Sequence, residues 1–355
     1  MLFRKTRKTL QHLLVTISVT GILLILWTFY SQNHSSIQTR LDLIETEKTA
    51  PSSASPSVSS EMSAKRNYHF VLFLIPTTPD SVEHRQLLRS TWMNISAWPE
   101  EEFRDVDPKF LNFKTMFVVG RVKGKEYSAQ FLAEASQHDD IFIVDYLFEE
   151  LGVLKYKVLW GMFRSLLLFD YSFLVKVDMD TLVILPDMIK GLSELPAHMV
   201  YSGTCYAVLP KFHTDKFKPE LTLNYRNHRY CFGGGYFLSR DLIQHLSELD
   251  SSLYVTVVDA EDWYIGWLVY HVRRKLGINT KEVQLEKDDH GYMKNEGYSK
   301  YNFDGTWFLH FLRTPAKLID AFTCRKNMVI EACPHKVYMH TSNYNGTCTC
   351  FNKNR

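Results

Sequence analysis

The sequence predicts an α/β domain with a central, mostly parallel β-sheet, and two observations support this prediction. Along residues 67–355, short apolar runs that suit buried strands alternate with segments in which apolar residues recur at helical spacing. Strands separated by helices pair in parallel, because the crossover between them needs about the length of a helix. The chain has 355 residues, of which 45% are hydrophobic, so it can bury one large core.

The predicted elements follow one another in a regular order. The run YHFVLFLIP predicts the first buried strand, and VEHRQLLRSTW after it has helical spacing. The runs KTMFVVG and IFIVD predict two further strands. The segment VLKYKVLWGMFRSLLLFD places Val158 and Met162 on one helical face, and FLVKVD then predicts a strand that ends at Asp178. No long linker interrupts these elements, so we expect one domain over residues 67–355.

The N-terminal part of the chain predicts a membrane anchor. Residues 10–30, LQHLLVTISVTGILLILWTFY, contain no charged side chain and are long enough to cross a bilayer. Four basic residues precede this run, which predicts that residues 1–9 form a cytosolic tail. A cleaved signal peptide is the alternative, but the run is long and no small-residue cleavage site follows it. Residues 31–66 are predicted to be a flexible stem, because Ser, Pro and Ala dominate their second half.

The cysteines and glycosylation sequons agree with a domain on the far side of the membrane. Six cysteines follow the predicted anchor, and sequence cannot select their pairing. Those near the C-terminus suggest a tail stapled to the domain, while a zinc site with nearby histidines is a weaker alternative. Asn94 and Asn345 begin plausible sequons, and Asn33 begins one close to the membrane. The net charge of +2 gives no electrostatic argument for nucleic acid as a partner.

Two carboxylates, Asp178 and Asp180, stand at the end of a predicted core strand. Burying a charge there is costly unless it is paired, so the acids form either a surface turn or a site for something positive. Ligands of α/β sheets bind at the carboxyl ends of strands, which favours a site. Carboxylate oxygens suit Mg²⁺ and Mn²⁺, whose remaining ligands are often waters and phosphate oxygens.

Two later segments add candidate site residues. Gly233, Gly234 and Gly235 are consecutive, which predicts backbone that passes close to a ligand, or else a bulge or a turn. Glu261 and Asp262 precede a run of helical spacing. Acidic residues in a first helical turn are favoured by the helix dipole, so ordinary capping is the alternative to a general base at the edge of a cleft.

Five motifs in order resemble the β-1,3-glycosyltransferases of the galactosyltransferase and N-acetylglucosaminyltransferase family, glycosyltransferase family 31. The motifs are the segments IPTTPDSVEHRQLLRSTW, FLVKVDMDTLVILPDM, YCFGGGYFLSRDL, EDWYIGWLVYHVRRKLGI and TWFLHFLRTPAKL. The five motifs lie in order along nearly the whole of residues 67–355. The resemblance implies a GT-A-like, nucleotide-sugar-binding domain behind a type II signal anchor, in the Golgi membrane.

The resemblance also implies roles for the candidate residues. Mn²⁺ or another divalent cation would be held by Asp180 and His310 with Asp178 nearby, and it would bridge the phosphates of a UDP-sugar. Asp262 would be the general base and Glu261 would hold the acceptor or orient the loop. The donor site would include the residues Arg85, Arg89, Asp178, Gly233, Gly234 and Gly235. The expected reaction is inverting transfer of galactose or an N-acetylhexosamine to the 3-hydroxyl of a glycan on a glycoprotein or glycolipid.

The chain departs from the family pattern at several positions. Met179 stands between the two outer acids, and Trp263 replaces the usual small apolar residue after Asp262. Either Lys155 or Lys157 matches the lysine of a further family motif. A catalytically silent member that binds glycans or assists a partner is the alternative function. The donor sugar, the acceptor and the state as monomer, homo-oligomer or hetero-oligomer stay open.

Overall fold

The computed structural model describes residues 67–150, 152–207, 229–250, 253, 260–277, 292–295, 298–301, 307–330, 338–341 and 348–351. The predicted cytosolic tail, anchor and stem lie in residues 1–66, outside this described part, so the domain boundaries stay predictions. Among the described helices, none combines the length and the apolar character that crossing a membrane requires.

Twelve strands are found in the described residues. In chain order they are β1 (Tyr68–Thr77), β2 (Phe113–Arg121), β3 (Ile141–Phe148), β4 (Asp170–Val177), β5 (Leu182–Val183), β6 (Tyr201–Ala207), β7 (Arg229–Ser239), β8 (Tyr292–Asn295), β9 (Tyr298–Tyr301), β10 (Phe308–Leu309), β11 (Tyr338–Thr341) and β12 (Cys348–Phe351). Six of them form the central sheet, in the order β3-β2-β1-β4-β7-β6. The first four are parallel and β7 runs antiparallel to both β4 and β6, which confirms the mostly parallel sheet.

Seven α-helices lie in the same part of the chain. They are α1 (Val82–Ser90), α2 (Ala129–Gln137), α3 (Leu154–Leu168), α4 (Leu185–Ser193), α5 (Arg240–Ser247), α6 (Glu261–Leu276) and α7 (Pro315–Ile330). The predicted strands and helices up to Asp178 are all observed in their predicted order. Short 3-10 helices, at Ile95–Ala97, Glu100–Phe103 and Pro108–Leu111, connect α1 to β2.

The central strands are buried on both faces. Residues 71–75 of β1 are fully buried, as expected for a strand between two helical layers. On one face, Gly161 of α3 packs so closely that a Cβ atom there would lie 2.5 Å from Leu74. On the other face, Phe73 meets Trp92 edge to face at 5.1 Å between ring centroids. Strand burial on both sides explains why these runs are continuously apolar.

Covalent and ionic links tie later segments to the sheet. A disulfide joins Cys205 of β6 to Cys231 of β7, and Cys324 of α7 is also disulfide-bonded. The side chains of the later cysteines lie outside the described part, so the stapled tail and the zinc alternative stay predictions. Arg325 of α7 forms buried ion pairs with Glu102 and Asp187, which fixes α7 against α4.

Candidate active site

The two predicted metal carboxylates lie in the turn that follows β4. Asp178 comes directly after this strand, and its backbone N–H donates to the carbonyl of Gly234 at 3.3 Å. The turn closes where the N–H of Thr181 donates to the carbonyl of Asp178 at 3.2 Å, with Asp180 inside it. Both carboxylates are half-buried. The acids thus stand at the carboxyl end of a central strand, where α/β sheets bind ligands.

A short strand pair brings His310 to this turn. Strand β5 starts immediately after the turn and pairs with β10, and His310 is the residue that follows β10. The N–H of Leu312 donates to the carbonyl of Asp180 at 2.9 Å and holds the two segments together. One possible ligand atom from each of Asp178, Asp180 and His310 lies within 4.8 Å of the others. Residues from distant parts of the sequence therefore form one group that could hold a metal ion.

The hydrogen bonds around His310 assign its tautomer. The hydroxyl of Thr181 donates to the carbonyl of Gly234 at 2.9 Å. The Oγ1 atom of this hydroxyl also lies 2.7 Å from Nδ1 of His310. When the hydroxyl hydrogen lies on the carbonyl, Nδ1 of His310 donates to Thr181, and a neutral imidazole then has its lone pair on Nε2. Oδ1 of Asp180 lies 3.3 Å from the same Nδ1. Two carboxylates and one imidazole of fixed tautomer are a donor set that suits Mn²⁺.

The three consecutive glycines lie within β7 and not in a turn, and the register between β7 and β6 shifts beside them, as the bulge alternative expects. Val177 of β4 faces Gly235 in the antiparallel pair, which places the glycines beside the acidic turn. A Cβ atom at Gly234 would lie 2.6 Å from Cγ of His310, and one at Gly235 would overlap the ring of Phe308. These glycines therefore make room for β10 and its histidine. The close approach at Gly234 and Gly235 is to side chains of this chain, and the predicted contacts of the three glycines with the donor stay predictions.

A fully buried lysine at the centre of the site was missed by the sequence reasoning. Nζ of Lys176 lies 2.6 Å from Oδ1 of Asp178 and 3.1 Å from Oε2 of Glu261, and it donates to the carbonyl of Gly233 at 2.5 Å. Burial alone would lower the pKa of Lys176, but the two carboxylates outweigh it and raise the pKa. A charged residue inside the apolar run of residues 173–177 was the signal that could have identified it. Lys176 joins the metal group to the start of α6.

Glu261, at the first position of α6, is a buried acid with a displaced pKa. Its carboxylate accepts a hydrogen bond from the hydroxyl of Tyr236 in addition to the contact with Lys176. Burial raises the pKa of Glu261 to about 7, although Lys176 and the bond from Tyr236 act in the opposite direction. Glu261 is therefore fixed from two sides inside the protein.

Asp262 is the more accessible acid of this pair. Its Oδ1 accepts from its neighbour's backbone, the N–H of Trp263, at 2.9 Å, and its Oδ2 accepts from the N–H of Gly233 at 3.1 Å. Burial raises the pKa of Asp262, while the nearby Lys176 and the two backbone bonds oppose the shift. Each carboxylate oxygen has a second lone pair, so Asp262 is held in place and can still accept a proton.

Arg85 and Arg89 occupy a different place from the metal group. The fully buried Arg85 donates to both oxygens of Glu134, and Arg89 donates to Glu134 at 2.7 Å and to both oxygens of Asp140. Arg85 also donates to the carbonyl of Thr78, just after β1, at 2.6 Å. Arg85 is therefore not part of a solvated helix face. The predicted nucleotide contacts of the two arginines stay predictions.

Two further buried groups lie near the carboxyl ends of β1 and β4. Nε2 of His84 is buried and has no hydrogen-bond partner among the described residues, and the ring lies near Asp180 and the backbone of Met179. Burial lowers the pKa of His84. Lys157 binds Glu149 and donates to the carbonyl of Thr77 at 2.8 Å. No periodic pattern in the sequence distinguishes either residue from its helical neighbours.

Comparison with known proteins assigns the chain to a family. The family profile described as Galactosyltransferase matches residues 83–283, which is more than half of the chain. UDP-GalNAc:beta-1,3-N-acetylgalactosaminyltransferase 1 of Homo sapiens is 26% identical over 208 residues, which cover 56% of this chain and 58% of that protein. Beta-1,3-galactosyltransferase 1 of Mus musculus is 24% identical over 247 residues, which cover 66% of this chain and 69% of that protein.

Among solved structures, a similar one is the apo structure of the bifunctional glycosyltransferase WbbM. The two are 13% identical with a TM-score of 0.35, and the match covers 61% of this chain and 39% of the other.

The match of the family profile to residues 83–283 includes the acidic turn, the glycine strand and the start of α6. It extends beyond the motifs themselves through all the central strands after β1. The chain belongs to the Galactosyltransferase family.

Proposed function

We propose that this protein is an inverting glycosyltransferase, which transfers a sugar from a UDP-sugar to the 3-hydroxyl of an acceptor glycan and forms a β-1,3 linkage. The observation that carries the proposal is the convergence of Asp178, Asp180 and His310 beside the carboxylate of Asp262, in a member of the Galactosyltransferase family. The relatives are named for β-1,3 transfer of galactose and N-acetylgalactosamine, which supports galactose or an N-acetylhexosamine as the donor sugar.

The donor diphosphate would bind through a divalent cation. Asp178, Asp180 and His310 would hold Mn²⁺ or a similar ion, and a bound ion of this kind stabilises the negative charge that develops on the leaving UDP. Thr181 keeps His310 in the tautomer with the lone pair on Nε2. Lys176 holds Asp178 in place from inside the domain. The ion site is thus preorganised by residues of two segments that are distant in sequence, residues 176–181 and His310.

The acceptor would be activated by Asp262. Its carboxylate takes the proton of the acceptor 3-hydroxyl while that oxygen attacks the anomeric carbon and the bond to UDP breaks. Attack from the face opposite the leaving group inverts the anomeric configuration. The N–H groups of Gly233 and Trp263 hold the carboxylate of Asp262 in one orientation. Glu261, fixed by Lys176 and Tyr236, would hold the acceptor or the start of α6.

The cellular setting is part of the same proposal. The apolar run of residues 10–30 and the basic residues before it support a single-pass type II protein of the Golgi membrane. Its domain would face the lumen, where nucleotide-sugar donors meet glycan acceptors. The exposed Asn94, in a sequon, would be accessible to glycosylation there.

A donor screen tests the proposed function. The full-length protein in detergent is incubated with UDP-galactose, UDP-N-acetylglucosamine or UDP-N-acetylgalactosamine, with a mixed glycan acceptor and with or without Mn²⁺. We expect Mn²⁺-dependent release of UDP and a product in which linkage analysis finds a β-1,3 bond. A protein that binds glycans but releases UDP from none of these donors would be a silent family member, and the proposal would be wrong.

A further inference from the structure

We propose that Tyr230 and Trp263 form an aromatic platform that binds one pyranose ring of the acceptor beside Asp262. The platform is defined by these two residues, one on β7 and one on α6. This inference rests on the proposed function, because it assigns the acceptor side of the same site. The proposed ligand is a sugar ring with a contiguous C–H face. On this side of the site, only the acids Asp262 and Glu261 had been given roles toward the acceptor.

The two rings form one surface. Their centroids lie 5.3 Å apart and their planes are inclined by 54°. Both side chains are half-buried, so part of each ring faces solvent. Aromatic side chains that are fixed yet partly exposed are unfavourable on a free surface and mark binding sites when they cluster. The platform is therefore an apolar surface of limited area rather than a part of the closed core.

The platform is fixed in position relative to the general base. Trp263 directly follows Asp262, and its backbone N–H donates to Oδ1 of that aspartate at 2.9 Å. Helix α6 lies against the start of β7, where a Cβ atom at Gly266 would lie 2.7 Å from Cα of Tyr230. Only a glycine permits this approach of helix to strand. A ligand on the platform would therefore have a defined distance to the carboxylate.

The chemistry of the surface suits a sugar. A pyranose ring has an apolar C–H face and a polar rim of hydroxyl groups, and aromatic rings with a polar edge, such as Tyr and Trp, match both parts. Sites for small ligands combine such apolar walls with a few polar groups that set orientation. Here the carboxylate of Asp262 is the polar group. A hydroxyl at the rim of a stacked ring would be presented to the residue that accepts its proton.

The uracil of the donor is the competing occupant of an aromatic surface. The metal group that would hold the donor diphosphate is formed by the acidic turn and His310. The rings beside His310 are those of Phe311, at 4.2 Å, and Phe232, at 5.3 Å. The platform instead adjoins Asp262, the group that acts on the acceptor. The position of the rings relative to the two reacting partners therefore favours the acceptor.

The test measures binding of simple glycosides, so that it does not depend on turnover. Full-length wild type and the variants Trp263→Leu, Tyr230→Leu and Trp263→Phe are titrated with methyl β-galactopyranoside and methyl β-N-acetylglucosaminide in the presence of UDP and Mn²⁺. Saturation-transfer NMR reports glycoside binding and calorimetry reports UDP binding. The control is Tyr270→Leu, which removes a half-buried ring further along α6.

We expect Trp263→Leu to weaken binding of at least one glycoside up to about tenfold. Tyr230→Leu should weaken glycoside binding less, and Trp263→Phe should bind the glycosides nearly as well as wild type does. The affinity for UDP should stay unchanged in all variants, and the Tyr270→Leu control should bind the glycosides as wild type does. Unchanged glycoside binding in both leucine variants, or no binding by wild type, would overturn the inference. A parallel loss of UDP affinity would assign the platform to uracil and would overturn it as well.

The same variants separate this inference from the proposed function. If no UDP-sugar is turned over but Trp263→Leu still loses glycoside binding, the proposed function fails and the platform stands. If transfer occurs and Trp263→Leu leaves the KM for the acceptor unchanged, the platform fails and the proposed function stands. A raised KM at unchanged kcat is the result that supports both.

Discussion

Two buried clusters of charge in this domain differ in their balance. The paired cluster joins α1 to α2 and contains two guanidinium groups and two carboxylates, from Arg85, Arg89, Glu134 and Asp140. The acidic cluster lies at the carboxyl end of β4 and contains one ammonium group and four carboxylates, from Lys176, Asp178, Asp180, Glu261 and Asp262. One cluster is neutral by itself, and the other has an excess of negative charge.

The pKa values of the buried acids follow this balance. Burial alone would raise the pKa of Glu134, but the hydrogen bonds from Arg85 and Arg89 bring it below its ordinary value. In the acidic cluster, burial raises the pKa of Glu261 to about 7 and also raises the pKa of Asp262. A single lysine does not compensate the acids that surround it. The acidic cluster is therefore incomplete without additional positive charge, which a divalent cation would supply.

The difference separates structural support from function. A buried ion pair whose charges cancel holds its elements together and needs no ligand. Acids that remain under-compensated in a partly open site are typical of catalytic and metal-binding residues. This contrast makes the acidic cluster the expected place of catalysis and the paired cluster the expected support of α1.

The largest expected effect follows from replacement of the general base. Asp262→Asn should lower the transfer rate by about 10³-fold, because the amide cannot accept the proton of the acceptor. Mn²⁺-dependent UDP binding should remain, since the metal group is unchanged. Rates of UDP-sugar turnover and calorimetry with UDP measure the two quantities. Activity close to wild type in this variant would assign the base to another residue.

The paired cluster should respond in stability and not in ligand binding. Glu134→Gln leaves Arg85 without its charged partner, so the free energy of unfolding should fall by about 3 kcal/mol. The matched control is Asp139→Asn, which removes an exposed pair with Lys114 and should cost less than about 1 kcal/mol. Urea unfolding gives both values. If folded Glu134→Gln instead binds UDP more weakly, the predicted nucleotide contacts of the arginines gain support.

The acidic cluster should give stability a distinct pH dependence. Burial raises the pKa of Glu261 from its ordinary value of 4.5 to about 7 in the folded chain. The folded state therefore binds the carboxyl proton of Glu261 more tightly than the unfolded state does. The contribution of Glu261 to stability should therefore fall by about 3 kcal/mol as the pH rises from 4.5 to 7. Glu261→Gln should flatten this part of the profile in urea unfolding at a series of pH values. The exposed control Glu101→Gln should keep the wild-type slope, and equal slopes in both variants would contradict the account.

The sequence predicted the sheet and most of the site because those features leave local signals. Continuous apolar runs identified the parallel strands, and acids at a strand end identified Asp178 and Asp180 as candidates. Lys176 was not recognised, because its partners Asp178 and Glu261 are distant from each other in sequence. The role of His310 beside the acids was implied by the resemblance, and no local pattern predicted the pairing of β5 with β10 that brings it there.

The glycines of β7 illustrate what a local pattern leaves undetermined. Three consecutive glycines indicate close approach, but they do not identify the approaching group. The structure places the side chains of His310 and Phe308 there, which are brought in by the late strand β10. Similarly, Arg85 and Arg89 at helical spacing indicate a charged helix face, while their burial against Glu134 depends on α2. Such features are set by tertiary packing, which periodicity does not encode.

The measurement that tests the central claim most directly is calorimetric titration of the full-length protein with UDP, with and without Mn²⁺. We expect UDP binding that requires Mn²⁺ and that weakens about 100-fold in Asp180→Asn, while Glu134→Gln in the paired cluster binds UDP as wild type does. Equal UDP affinity with and without Mn²⁺, or unchanged affinity in Asp180→Asn, would contradict the claim that the acidic cluster completes its charge with a divalent cation.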